Sequence, residues 1–170
     1  ISDIHYDNGL YWMWYFGGDQ TVTDLATPWG TFKVKGIIMR PGCAISRDGL
    51  NWTRLEGPYR GSFLDHGGPD DWDALFCSWP RVLKDDDGSY KMYYLTFNPA
   101  KGSFSVGMAV SEDGFRWKKV GQILGPGEPG SFDEGGSELP AHSQDRRSVR
   151  DVLRRPRRQR LLLHWRGSFR

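Results

Sequence analysis

GCAISRDGLNWTRLEG spans residues 42–57, and GMAVSEDGFRWKKVG spans residues 107–121. Gly, Ala, Ser, Asp-Gly and Trp recur at the same spacing in both. The Asp48-Gly49 and Asp113-Gly114 pairs read as tight turns, because glycine takes up the positive φ that such turns need. Ala44-Ile45-Ser46 and Ala109-Val110-Ser111 then read as strand ends. Trp52 and Trp117 read as the start of returning strands that pack back beneath their own hairpins.

A second pair lies upstream of each copy. DNGLYWMWY (7–15) and DDGSYKMYY (86–94) match at Asp7/Asp86, Gly9/Gly88, Tyr11/Tyr90, Met13/Met92 and Tyr15/Tyr94. An Asp/Asn-Gly turn followed by an aromatic run is a strand signal. A third pair, GSFLDHGG (61–68) and GSFDEGG (130–136), completes the unit. The order predicted is an acidic loop, a short strand carrying Pro80, a turn, an aromatic strand, a small-residue strand, a turn and a Trp strand. That is a four-stranded antiparallel meander present twice, over about 7–68 and 86–136. The polar stretch 18–36 is an insertion in the first copy. Tyr11, Met13, Tyr15, Trp52, Met92, Tyr94 and Trp117 are assigned to packing between sheets.

Composition agrees with an all-β chain. Among 170 residues there are 22 Gly and 10 Pro, which favour turns, and 8 Trp, 7 Tyr and 9 Phe, which favour a packed core over disorder. No long apolar run marks a membrane span, and no membrane partner is expected. Cys43 and Cys77 lack metal spacing and read as buried thiols, with a single disulfide as the alternative; they leave the cellular location unassigned. Four scattered His residues give no zinc pattern, and no strand–GxGxxG–helix unit signals a nucleotide, so no metal or cofactor is expected.

The net charge of +2 conceals a split. Residues 1–140 hold 13 Lys/Arg and 19 Asp/Glu, whereas 141–170 hold ten Arg and two Asp. The periodic signal stops after Gly136. The Arg-rich tail reads as a basic arm, as an unstructured or helical extension, or as a shifted reading frame. The third is preferred over a nucleic-acid arm, because the patch lacks interleaved aromatics. Leu161-Leu162-Leu163-His164-Trp165 has codons that, moved by one nucleotide, read Tyr-Tyr-Cys-Thr-Gly, a further aromatic strand. The first residue is Ile1 and not Met, which suggests a missing upstream part.

In their fixed order these elements resemble the five-bladed β-propeller glycosidases of the arabinanase, levansucrase and invertase group. The resemblance covers residues 6–136. It implies a partial propeller over 1–140, followed by a tail at 141–170 foreign to the fold. It implies a carbohydrate substrate and cleavage of O-glycosidic bonds by paired carboxylates, one donating a proton and one attacking or activating water. On the positions that match, Asp73 is the candidate base, nucleophile or pKa modulator, and Glu134 the candidate general acid. Asp65, His66, Trp72, Phe132 and Asp133 are the candidate substrate-binding residues. The first innermost strand, with the aspartate the group carries there, is expected at or before residue 1. The alternative is a non-catalytic propeller module that binds a glycan, or a protein through its exposed blade edges.

Overall fold

A computed structural model describes residues 2–136, so the Arg-rich tail at 141–170 lies outside the described residues. Those residues form strands and turns only. One four-stranded antiparallel sheet is built from β1 (Asp3–Asp7), β2 (Leu10–Gly18), β5 (Met39–Ser46) and β6 (Thr53–Leu55), in that spatial order. A second contains β7 (Ser78–Lys84), β8 (Tyr90–Asn98), β9 (Ser103–Ser111) and β10 (Lys118–Leu124), again as a meander. The polar insertion is a separate hairpin of β3 (Val22–Thr27) and β4 (Gly30–Lys35). Discrete four-stranded antiparallel sheets of this kind are β-propeller blades.

The duplicated turn explains why the same short segment recurs. In the first copy Ser46 Oγ accepts from Gly49 N at 2.9 Å, while Asp48 Oδ1 accepts from Leu50 N and Asn51 N at 2.8 Å each. In the second copy Ser111 Oγ accepts from Gly114 N at 2.9 Å, and Asp113 Oδ1 from Phe115 N and Arg116 N at 2.8 and 2.7 Å. The indole N–H of Trp52 donates to Gly49 O, and that of Trp117 to Gly114 O, both at 3.0 Å. Ser, Asp, Gly and Trp together satisfy the backbone groups that a hairpin tip leaves open. Gly49 and Gly114 sit at φ +72° and +76°, where a β-carbon is disfavoured.

Strand register is the same in both sheets. Tyr15 pairs with Gly42 and Ala44 with Arg54; Tyr94 pairs with Gly107 and Ala109 with Lys119. Residues directly opposite one another share a sheet face. One face of the second sheet therefore carries Met92, Tyr94, Gly107, Ala109 and Lys119, and it packs towards the first sheet. Trp14, on the opposing face of the first sheet, meets Phe63 and Trp117 edge-on at 5.6 Å each. Cys43, Cys77, Val82, Met92, Tyr94 and Ala109 join this core. Both thiols are free and buried, and burial pushes each up to about 12.

Two sequence expectations change. The innermost strand of the first blade is present as β1, held to the second blade where Val82 N donates to Asp3 Oδ2 at 3.1 Å. The repeat of the connecting loop also has another register. Gly67 N donates to Asp73 O at 2.9 Å and Asp71 N to Gly68 O at 3.0 Å; Gly127 N donates to Asp133 O at 2.8 Å and Ser131 N to Glu128 O at 2.9 Å. The equivalent loops are thus GGPDDWD (67–73) and GEPGSFD (127–133), which pair Asp73 with Asp133 and Trp72 with Phe132. Shared GSF letters had drawn the comparison several residues away.

Replacing Gly114 with Ala is expected to cost about 1–2 kcal/mol, the strain of an L-residue in the left-handed region. Gly107→Ala should cost more, because its methyl would overlap the Tyr94 ring and Trp72. Equilibrium urea unfolding of both variants measures the order.

Candidate functional site

The chain leaves the outer strand β6, crosses between the sheets through residues 56–77, and enters the inner strand β7. Four of the candidate residues lie on this crossing. Asp73 is 3% exposed. Its Oδ2 accepts from Lys119 Nζ at 2.5 Å and from the Tyr94 hydroxyl at 3.4 Å. Burial pushes the Tyr94 phenol well above its usual range, which keeps it a donor. Trp72 stacks over Tyr94 with centroids 6.1 Å apart and planes 29° apart, against the bare backbone of Gly107. Asp73 and Trp72 together form a plug seated on the second sheet.

Asp65 and His66 lie earlier on the crossing. Asp65 Oδ1 accepts from Arg40 Nε at 2.6 Å and from His66 N at 2.9 Å. Burial alone would raise the Asp65 carboxyl, but the Arg40 hydrogen bond and charge, aided by His66, outweigh it and hold the group below its ordinary value. His66 Nδ1 stands 2.8 Å from Gly67 O, an acceptor only, so that nitrogen carries the proton.

The remaining candidates are on the 127–136 loop. Phe132 is fully exposed. Asp133 Oδ1 accepts from Ser131 Oγ at 2.8 Å, and Glu134 Oε2 accepts from Gly130 N at 2.6 Å. Asp65 and Asp73 lie on the crossing between β6 and β7 and Glu134 lies after β10, so the candidate carboxylates come from two different loops.

Sequence reasoning missed Trp79. It has φ +47° although it is neither Gly nor Asn, it stands 49% exposed, and its ring lies 4.5 Å from that of Phe16. A bulky residue held in the left-handed region is a strained feature that its surroundings must enforce. Here the pairing of β7 with β8 breaks between Ser78 and Arg81. Phe16 pairs with Pro41 and Gly17 with Arg40, and Cys77 N donates to Met39 O. Trp79, Phe16, Arg40 and Asp65 therefore gather at the same end of the first sheet. The Trp-Pro step predicts an extended residue before proline, so the sequence holds no signal for this conformation.

No protein-family model matches the chain. Over 136 residues it is 31% identical to the uncharacterized protein Rv1502 of Mycobacterium tuberculosis, covering 79% of this chain and 38% of that protein. Over 120 residues it is 28% identical to a 1,2-β-oligomannan phosphorylase of Thermoanaerobacter sp., covering 70% and 36%. Among solved structures it is similar to Zg3597, a family 117 glycoside hydrolase of Zobellia galactanivorans, with a TM-score of 0.62 at 19% identity, covering 79% of this chain and 41% of that one. The described residues share the fold of part of that glycoside hydrolase's chain. The chain spans a little over a third of the length of the curated relatives it matches.

Two outcomes follow. Lys119→Met leaves the Asp73 carboxylate enclosed without its cation, and should cost on the order of 3 kcal/mol in urea unfolding, with Asp73→Asn in the same chain restoring part of the loss. Asp48, Asp65 and Asp113 all lie below their ordinary value of 3.8 in the folded chain. A lowered folded-state pKa stabilises above the unfolded value and is lost as pH falls through the folded one. Thermal midpoints should be level near neutrality and fall below about pH 4. The double variant Asp48→Asn/Asp113→Asn should flatten that acid limb.

Proposed function

We propose that the chain is part of a propeller enzyme that cleaves O-glycosidic bonds, with the sugar lying at the end of the blades where Trp79, Phe16, Asp65 and His66 gather. The strained, exposed Trp79 over Phe16 carries this reading. An apolar ring held open beside charged groups suits the face of a sugar ring and its hydroxyls. The glycosidase-type fold supports the same direction. Asp65 and His66 supply hydrogen bonds to hydroxyls. Enclosed by Lys119 and Tyr94, Asp73 takes the modulating and positioning role among those open to it. Glu134 is the proton donor, with Phe132 and Asp133 beside it facing substrate, and the second reacting carboxylate comes from another blade of a five-bladed ring. The similarity to a protein named as a phosphorylase widens the acceptor from water to inorganic phosphate.

A second reading, a glycan-binding module without catalysis, is favoured by the hydrogen bonds and ion pairs that already engage Asp73, Asp65 and Glu134 within the protein. Sugar binding by calorimetry and sugar release from furanosides and β-mannosides, with and without phosphate, separate the two. The enzyme reading expects binding that Trp79→Ala weakens at least about tenfold. It also expects release that Glu134→Gln lowers about 10²–10⁴-fold. Binding without release in any length of the protein supports the module, and absence of both rejects the carbohydrate assignment.

A further inference from the structure

We propose that the β3–β4 hairpin is a strap that opens and closes as one unit over the blade end carrying Trp79, latched shut by Trp29 on Gly102. What the strap encloses rests on the reading of that end as the sugar site. Both of its footings lie there. β2 hands over to the hairpin at Gly18, two residues past Phe16, and β5 takes the chain back at Met39, next to Arg40. On the second blade, Ser78 beside Trp79 pairs with Leu95, and the β8–β9 turn that holds Gly102 follows just beyond, after Asn98.

The strap is held down by apolar contact. Among the described residues, no hydrogen bond or ion pair joins 22–35 to the rest of the chain; Thr27, Trp29, Gly30, Asp24 and Lys33 bond only within the hairpin. Its two legs leave the sheet through one narrow neck of glycines. A β-carbon on Gly18 would overlap Gly36 O, and Gly36 sits at φ +71°. A two-stranded hairpin is marginal by itself in water. An element with few buried contacts opens at a free energy well below that of the whole fold.

Two side chains close it. Leu25 packs midway against the cluster of Leu75, Phe76 and Phe97. At the tip, Thr27 Oγ1 accepts from Trp29 N at 3.2 Å and donates to Gly30 O at 3.0 Å, which fixes the turn that presents the Trp29 ring. The ring lies on Gly102, where a β-carbon would stand 2.6 Å from Trp29 Cη2, so only glycine leaves room for it. This seat is tied to the crossing segment: Gly102 N donates to Asn98 O at 2.9 Å, and Asn98 Nδ2 donates to Asp71 O at 3.2 Å. The latched strap therefore has a defined position relative to the segment that carries Asp65 and His66.

Native-state amide hydrogen exchange on the full chain tests this. The amides of 22–35 should exchange together, at least about tenfold faster than those of β8. Trp29→Ala should speed all of them at least about tenfold more, and Trp29→Phe less, with the rates of β2 and β8 and the urea midpoint unchanged. Gly102→Asn reaches the latch from the other side: asparagine tolerates the φ of +65°, but its β-carbon displaces the ring, so the same acceleration is expected. A bound methyl β-mannoside or methyl furanoside should slow the hairpin, because a ligand held under the strap favours the closed state. Hairpin amides as slow as those of β8, acceleration confined to 28–30, or a bound sugar that leaves the hairpin rate unchanged would each overturn the proposal. Cooperative opening that depends on Trp29, in a chain that calorimetry shows to bind neither sugar, upholds the strap and places the failure on the carbohydrate reading.

Discussion

The contact on which the architecture depends is the one between Asp73 and the pair Lys119 and Tyr94. A sheet blade has two faces, and each must be covered. Here the cover is laid by the chain itself as it passes from the outermost strand of one sheet to the innermost strand of the next. Such a passage carries polar backbone and a carboxylate into an apolar seam, where an unpaired charge is costly. Lys119 neutralises the carboxylate, the Tyr94 hydroxyl reaches it as well, and Gly107 removes the side chain that would hold the plug off the sheet. With the plug seated, Trp14 closes on Phe63 and Trp117, and the two sheets share one core.

Most of this is legible in the sequence. The Ser-x-Asp-Gly-x-x-Trp segment is read correctly because the hydrogen bonds of its Ser, Asp, Gly and indole N–H all close within one hairpin, so local spacing is enough. The aromatic strands are legible for the same reason, since their period of two reports which side is covered. The blade seam is less so. Lys119 is 46 residues from Asp73 and looks in sequence like any surface lysine on a Trp strand. The loop repeat was drawn in the wrong register because shared letters outweighed shared conformation: Gly-x-Pro-x-x-aromatic-Asp has the same hydrogen bonds in both copies, although only three of its letters are identical.

The candidate carbohydrate end shows a different limit. Trp79 takes a backbone conformation that the Trp-Pro dipeptide argues against, so no propensity could have flagged it. Its environment sets it: β7 breaks its ladder there, and Phe16 from the neighbouring sheet stands beneath the ring. Burial also separates residues that look alike in sequence. Asp65 and Asp73 both sit on one glycine-rich crossing, yet one carboxylate is partly open beside Arg40 and the other is enclosed.

The link from Asp3 to Val82 bears on how the molecule forms. Within each blade, strands that pair in space are mostly neighbours in sequence, so hairpins close over short loops. Asp3 and Val82 are separated by 79 positions, and the chain entropy lost in bringing them together cannot be recovered until both meanders exist. Loop-closure entropy thereby favours one order of events: hairpins first, then the crossing segment with its plug, and last the clasp between the two innermost strands.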